Sequence, residues 1–407
     1  MPKLFQSARS VFIKLLLILF YPLSFLMFRD KKLWVFGSSG YHFRDNSKYF
    51  FLYVVNNHPE IKPVWISRNK ELVTELKAKG YTAEYYMSWQ GIRYLLRAKL
   101  CITEAGVATI NLWFCGGIKN INLWHGIPLK KVGIGNKHYY FPQEKNIPNI
   151  KRWAWFRIIS FFERNPDFLL VTSEYYRDVM KTAFAAKDEN IFIGGQPRND
   201  VFFHSVEGAV TLDTQRESDA VDAAESNTNI LCMPTYRDSG EGWLTASGID
   251  LQRLNSQLKA SNTSLWIKLH PQEVKNVETK KLQFSHIRMM EGNVDMYPLL
   301  KKFDALITDY SSIYFDYLLV DRPIIFFCYD LEKYLSVDRD MYFAYEDMIC
   351  GPMVKTTKEL FIALADLQNG KDLYKERRTE IRDRVYEYQD GSGSERIFEE
   401  LMHRYVN

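Results

Sequence analysis

The 407-residue chain reads as an α/β protein of two units, each with its own parallel sheet. Three observations carry that reading. Short apolar runs alternate with amphipathic stretches from residue 30 onward. The alternation pauses at a polar, acidic segment and then restarts. The residues ending several runs can bind or move charge. The length agrees, at roughly 100–200 residues per domain. With 46% hydrophobic residues, including 27 Phe, 25 Tyr and 9 Trp, the chain can fill sizeable cores. That excludes a disordered chain, a collagen-like repeat and a coiled coil. Lys and Arg number 53 against 49 Asp and Glu, a net charge of +4. Without a basic tail this is too little for general nucleic-acid binding. The five cysteines (Cys101, Cys115, Cys232, Cys328, Cys350) stand at no metal-ligand or redox spacing. They are expected as reduced core residues of a cytosolic domain.

Taken in order, residues 1–31 hold the only strongly apolar stretch, VFIKLLLILFYPLSFLMF at 11–28. It is near the lower length limit for a span, and Lys14 and Pro22 interrupt it. No small-residue cleavage site follows, and basic residues flank both sides. A span, an in-plane or re-entrant anchor and a buried helix all compete here. An anchor on the cytoplasmic face is favoured, because nucleotide chemistry needs the cytosol. Residues 32–203 form the first unit. Its expected strands are 32–37, 62–67, 100–103, 119–126, 168–173 and 190–195, with helices at 47–57, 70–79 and 88–98. Residues 204–228 form a polar connector, with or without a surface helix. Residues 229–407 form the second unit, with strands at 229–238, 264–271, 286–290, 305–311 and 323–330 followed by helices. In such sheets ligands bind at the carboxyl ends of the strands.

Three strand ends carry unusual residues. Leu123-Trp124-His125-Gly126-Ile127-Pro128 places a histidine in a tight turn, followed by Lys130 and Lys131. Lys268-Leu269-His270-Pro271 stops a strand with proline and leaves an imidazole at its tip. A lone histidine is more often structural. Two at equivalent strand ends favour proton transfer, since imidazole titrates near neutral pH. Thr308-Asp309-Tyr310-Ser311-Ser312 precedes a helical segment, offering amide N–H groups and hydroxyls to a phosphate. The plainer reading is that Ser311 or Ser312 is an N-cap. Arg237, in Pro234-Thr235-Tyr236-Arg237-Asp238, is either a phosphate clamp or the ion-pair partner of Asp238. There is no Walker-type loop, no G-x-G-x-x-G, no zinc-ligand spacing and no nucleophile elbow. The residues alone point to a two-domain α/β enzyme for a phosphorylated or nucleotide ligand.

Together these motifs resemble the CDP-glycerol glycerophosphotransferase family of teichoic acid and capsule polymer synthesis. The resemblance runs from about residue 32 to the end, through FGSSGYHFRDNSKYFF, LWHGIPLKKVG, GGQPRND, PTYRD, KLHP, DYSSIYFDYLLVDRPIIFFCYDLEKY and YQDGSGSERI. It implies two Rossmann-like domains facing a cleft, the GT-B architecture, on the cytoplasmic face of the membrane. It also implies transfer of glycerol phosphate (or ribitol phosphate) from CDP-glycerol (or CDP-ribitol) to a hydroxyl of a lipid-linked or polymer acceptor, releasing CMP. By that resemblance His125 is the general base and His270 acts on the donor phosphates. Arg237, Asp309, Ser311, Ser312 and Asp316 contact the donor, and Lys130, Lys131 and Arg198 are weaker candidates for acceptor or phosphate contact. Charge on the leaving phosphate is assigned to an imidazolium at His270 and to Arg237, so no tightly bound metal is expected; Mg2+ accompanying the donor is the alternative. The segment IKRWAWFRIISFFER at 150–164 mixes aromatics with bases and suits a membrane surface, or else a core helix. The competing functions are a GT-B glycosyltransferase using a nucleotide sugar and a non-catalytic binding subunit.

Overall fold

The computed structural model describes residues 20–133, 165–237, 242–270, 273, 284–292, 294–337 and 340–407. The first sheet has seven strands: β1 (Asp30–Phe36), β2 (Lys62–Ser67), β3 (Ala83–Tyr85), β4 (Ala98–Thr103), β5 (Lys119–Asn122), β6 (Phe168–Val171) and β7 (Ile191–Ile193). The second has six: β8 (Thr228–Cys232), β9 (Thr263–Ile267), β10 (Ile287–Met289), β11 (Ala305–Thr308), β12 (Ile324–Phe327) and β13 (Met353–Val354). Their orders are β3-β2-β1-β4-β5-β6-β7 and β10-β9-β8-β11-β12-β13, and the strands of both sheets pair in parallel. Each order reverses beside its first strand, as in dinucleotide-binding folds, which opens a crevice between β1 and β4 and another between β8 and β11.

The strands are continuous apolar runs because helices cover both faces. Trp34, Trp65 and Trp266 are almost wholly buried within them. In the first unit α1 (Asp45–Asn57), α2 (Lys70–Ala78) and α3 (Trp89–Arg97) fall where the pattern puts them, and α4 (Glu174–Phe184) follows β6. Asn69 caps α2 by accepting from the amides of Glu71 and Leu72. The connector contains α5 (Leu212–Asp222), which buries Thr214 and Val221. The second unit carries α6 (Leu251–Ala260), the short α7 (Ile313–Leu318), α8 (Thr357–Gln368) and α9 (Lys375–Val385). A reciprocal capping box between Thr356 and Glu359 starts α8.

One boundary differs from expectation. The last helix, α10 (Gly393–Tyr405), leaves the second unit and packs on the first. Ile397, Phe398 and Leu401 join Trp34, Phe50 and Phe168 in one core. Asp200 receives the first amides of the helix, from Gly393 and Ser394, each at 3.0 Å. The physical reason is that one face of the first sheet needs an apolar cover, which this helix provides. A second core runs through the junction, joining Leu169, Val171 and Tyr176 to Tyr314, Phe315 and Tyr317.

All five cysteines are buried and free of disulfides. No helix among the described residues is long and apolar enough to cross a membrane. The 150–164 segment, and the part of the 11–28 stretch before Phe20, lie outside the described residues. From Phe20 to Phe28 the chain buries Tyr21 and Ser24 but exposes Phe20, Leu23, Leu26 and Phe28.

Candidate active site

At the crevice of the first sheet, Gly37-Ser38-Ser39 follow the end of β1 and Glu104 follows the end of β4. The Glu104 side chain is buried and accepts from Ser38 Oγ at 2.7 Å, Ser47 Oγ at 2.8 Å and the Ser39 amide. This carboxylate ties the loop after β1 to the first turn of α1.

His125 follows β5 in a turn that is unusual for its residues. Trp124 has a φ of 51° and Gly126 one of 142°, so glycine is required at 126 and tryptophan is held in the left-handed region. The turn's carbonyls are satisfied from outside it. Asn46 Nδ2 donates to Leu123 O at 3.2 Å and Trp124 O at 2.8 Å, and Arg198 Nη1 donates to His125 O at 2.8 Å. The imidazole itself is exposed, with Nδ1 at 3.2 Å from the Glu104 carbonyl oxygen. A carbonyl only accepts, so Nδ1 carries a proton, and the neutral tautomer compatible with this bond has its lone pair at Nε2. That tautomer suits a base.

Arg198 is 2% exposed and fully engaged. Nη1 also bonds Asp45 at 2.7 Å, while Nη2 and Nε meet Asp316 at 2.9–3.3 Å. The Tyr297 ring lies 4.7 Å from the guanidinium. Burial works against ionisation of Asp45, but Arg198 and His125 hold its carboxyl below the usual range. Burial pushes Asp316 up, with Arg198 opposing. Asp316 and Arg198, assigned to donor and phosphate contact, thus bond to each other in this structure. They sit directly behind the turn: a Cβ on Gly126 would lie 3.1 Å from Arg198 Nη2 and 3.5 Å from Ser312 Oγ. Ser311 and Ser312 are half-buried, and Ser312 makes no capping bond although it precedes α7.

At the crevice of the second sheet Arg237 is also buried. It bonds Asp309 at 2.7 Å and Asp330 at 2.8 and 3.0 Å, among the rings of Tyr310, Tyr329 and Tyr334. Asp309 also accepts from the Thr235 amide at 2.8 Å. Asp238, the neighbour that sequence offers as a partner, lies outside the described residues. The arginine is therefore caged by two carboxylates rather than open to a ligand.

His270 is exposed beyond β9, 5.2 Å from the Tyr236 ring. Burial, Lys268 and Arg44 lower its pKa. The imidazolium expected from sequence is thus disfavoured until an anion arrives. Burial, with Arg44 opposing protonation further and Asp295 favouring it, brings Lys268 down to about 8. Lys130 and Lys131 lie where the two units zip together. Lys130 pairs with Met341 in an antiparallel bridge, and the Lys131 amide donates to Asp340 O at 2.8 Å.

Sequence reasoning missed Glu104, Asp45, Asn46, Arg44 and Lys268 as site residues. Arg44, Asp45 and Asn46 are consecutive at the start of α1. Arg44 lowers the pKa of His270, the carboxyl of Asp45 is held down in part by His125, and Asn46 bonds the carbonyl before His125. Their one signal is that they fall inside the FGSSGYHFRDNSKYFF run. Among the described residues no cluster of His, Cys, Asp and Glu could hold a metal ion.

The model of the CDP-glycerol:poly(glycerophosphate) glycerophosphotransferase family matches residues 19–403. The chain belongs to that family. Over an alignment of 421 positions, gaps included, it is 26% identical to the teichoic acid poly(glycerol phosphate) polymerase of Bacillus spizizenii, covering 98% of this chain and 99% of that one. It is 25% identical to the teichoic acid glycerol-phosphate transferase of Staphylococcus aureus, covering 89% and 90%. A ribitol-phosphate primase of B. spizizenii is 31% identical over 57% of this chain and 58% of its own. In fold the chain is similar to the wall teichoic acid polymerase TagF, solved after a soak with CDPG. The TM-score is 0.74 at 23% identity, over 92% of this chain and 89% of that one.

Proposed function

We propose that this chain transfers glycerol phosphate from CDP-glycerol to a hydroxyl of a glycerol phosphate polymer, with release of CMP. The observation that carries the reading is the start of α1, where three consecutive residues serve both histidines. Nε2 of His125 takes the acceptor hydroxyl proton, and the acceptor oxygen attacks the glycerol-bearing phosphorus. The bond from that phosphorus to the CMP oxygen breaks, and CMP departs with the electron pair. Ser311 and Ser312 meet the donor phosphates, and His270, Lys268 and Arg44 supply positive charge to them. With Arg237 caged, these three take over the role that sequence reasoning gave it. No resident metal has a step in this reading; Mg2+ accompanying the donor is the alternative, and turnover in the presence of EDTA decides between them.

The acceptor is lipid-linked and the enzyme works at the cytoplasmic face of the membrane. The exposed apolar run from Phe20 to Phe28 supports this reading, since contiguous apolar exposure beside bases suits a lipid surface.

The test is CMP release by purified protein from CDP-glycerol and CDP-ribitol, with membrane extract as acceptor. We expect release from CDP-glycerol that falls about 10²–10⁴-fold in His125→Ala, the usual weight of a general base. Near wild-type turnover in a folded His125→Ala overturns the mechanism. Release from CDP-ribitol alone would favour the second donor, which the ribitol-phosphate primase similarity keeps in play.

A further inference from the structure

We infer that Arg198, with Asp45 and Asp316, is a positioning clamp that fixes the His125 turn of the first unit against the Ser311–Ser312 segment of the second. The inference rests on His125 acting as the base of the reaction proposed above. None of the three residues is assigned the proton transfer itself.

The geometry is closed on every side. One nitrogen, Arg198 Nη1, bonds both Asp45 at 2.7 Å and the His125 carbonyl at 2.8 Å. The rest of the fork holds Asp316 in α7, which continues directly from Ser312. The Arg198 amide donates to Asn46 Oδ1 at 3.2 Å, and the same Asn46 holds the Leu123 and Trp124 carbonyls. Three successive carbonyls of a turn with two positive φ angles are thus fixed by two side chains from elsewhere. A turn of this kind keeps its shape only where its surroundings over-determine it. The guanidinium reaches both units at once, so the turn and the donor segment move as one body while the bridge is intact. Side-chain exposures of 2% for Arg198 and 2% for Asp316 keep water from replacing the bridge. A planar five-donor fork is needed for this, and lysine cannot reproduce it.

The test uses the full chain as Arg198→Lys, Asp316→Asn and Asp45→Asn, each checked for folding by circular dichroism. The base is displaced while the donor site persists. We therefore expect kcat for CMP release to fall about 100-fold, the usual consequence of an ångström-scale misplacement. The calorimetric Kd for CDP-glycerol should stay within about twofold of wild type, since the clamp acts on geometry rather than on binding energy. Amide exchange at residues 124–126 should quicken about tenfold or more, as a turn that loses its carbonyl anchors opens locally. Asp45→Asn is the mildest change, because Asp45 is partly exposed, and it keeps the test alive if the other two fail to fold. Unchanged kcat in folded variants overturns the clamp. So does a tenfold loss of donor affinity with kcat retained, which would make Asp316 a donor ligand. If wild type releases no CMP from either donor, the proposed function fails instead. Exchange at 124–126 still decides the clamp, and unchanged exchange in Asp316→Asn would refute it.

Discussion

The two crevices share a strand order and differ in what lies at their ends. In the first, the switch point holds a carboxylate, Glu104, bonded to serines and a backbone amide, with no cation against its side-chain oxygens in the hydrogen bonds described. In the second it holds an arginine between two carboxylates, with Lys268 and His270 one strand away. Topology therefore creates the crevice but leaves its polarity to a few side chains. A hydroxyl-rich pocket with a carboxylate and no cation beside it suits an uncharged nucleophile such as an alcohol rather than an anion. A region where burial, helped by neighbouring cations, lowers the pKa of Lys268 and His270 is poised to receive an anion. The same fold thus serves an acceptor on one side and a donor on the other.

The contrast is broken most severely by Arg237→Met. Removing it leaves Asp309 and Asp330 buried without their partner, which typically costs about 3–5 kcal/mol. Glu104→Gln removes a charge but can keep most of its acceptor bonds, and a loss of about 1–3 kcal/mol is expected. Urea unfolding of the two variants checks the difference. Equal losses would mean that the cage around Arg237 is not a stability element and that the arginine is free to serve the donor.

A smaller effect distinguishes the crevices by pH. The pKa of His270 lies below 6.5 through burial, Lys268 and Arg44. A diphosphate favours the imidazolium, so donor binding takes up a proton and tightens as pH falls toward that range. Affinity for CDP-glycerol is expected to rise by up to about tenfold per pH unit below neutrality, the limit for one linked proton. His270→Asn should flatten the profile. An unchanged slope in that variant would remove His270 from the donor site.

Much of this was legible in the sequence. β2 was anticipated to the residue, and the turn holding His125 was recognised from Gly126 and Pro128. β3 and β13 were missed because three and two residues carry no periodicity. The bonds from Arg237 to Asp309 and Asp330 were missed because these residues lie 72 and 93 positions further along the chain. Glu104 and Asp45 look like surface carboxylates until the loop after β1 and Arg198 close over them. Periodicity in α10 shows that Ile397, Phe398 and Leu401 share a buried face. It does not show which sheet that face covers, and sequence proximity assigned it to the wrong unit.

That return of α10 makes the first unit depend on the end of the chain, and Asp200 reports on it. Burial pushes the Asp200 carboxyl up to about 7, against the opposing pull of the Ser394 and Gly393 bonds and Arg396. In the unfolded chain it titrates near the ordinary value of 3.8. The folded state therefore holds this proton more tightly. The associated stability is present in full below about pH 4 and is lost as pH rises to about 7, where it levels off. With the opposing bonds already counted in that value, a loss of at most about 2.5 kcal/mol is expected between pH 5 and 7.5. Thermal unfolding of wild type should show a lower midpoint at the higher pH. Asp200→Asn should lack that fall, because its side chain is neutral throughout. If both proteins respond alike, Asp200 is ionised at both pH values. Its carboxylate would then act as a charged cap of α10, stabilised by the helix start.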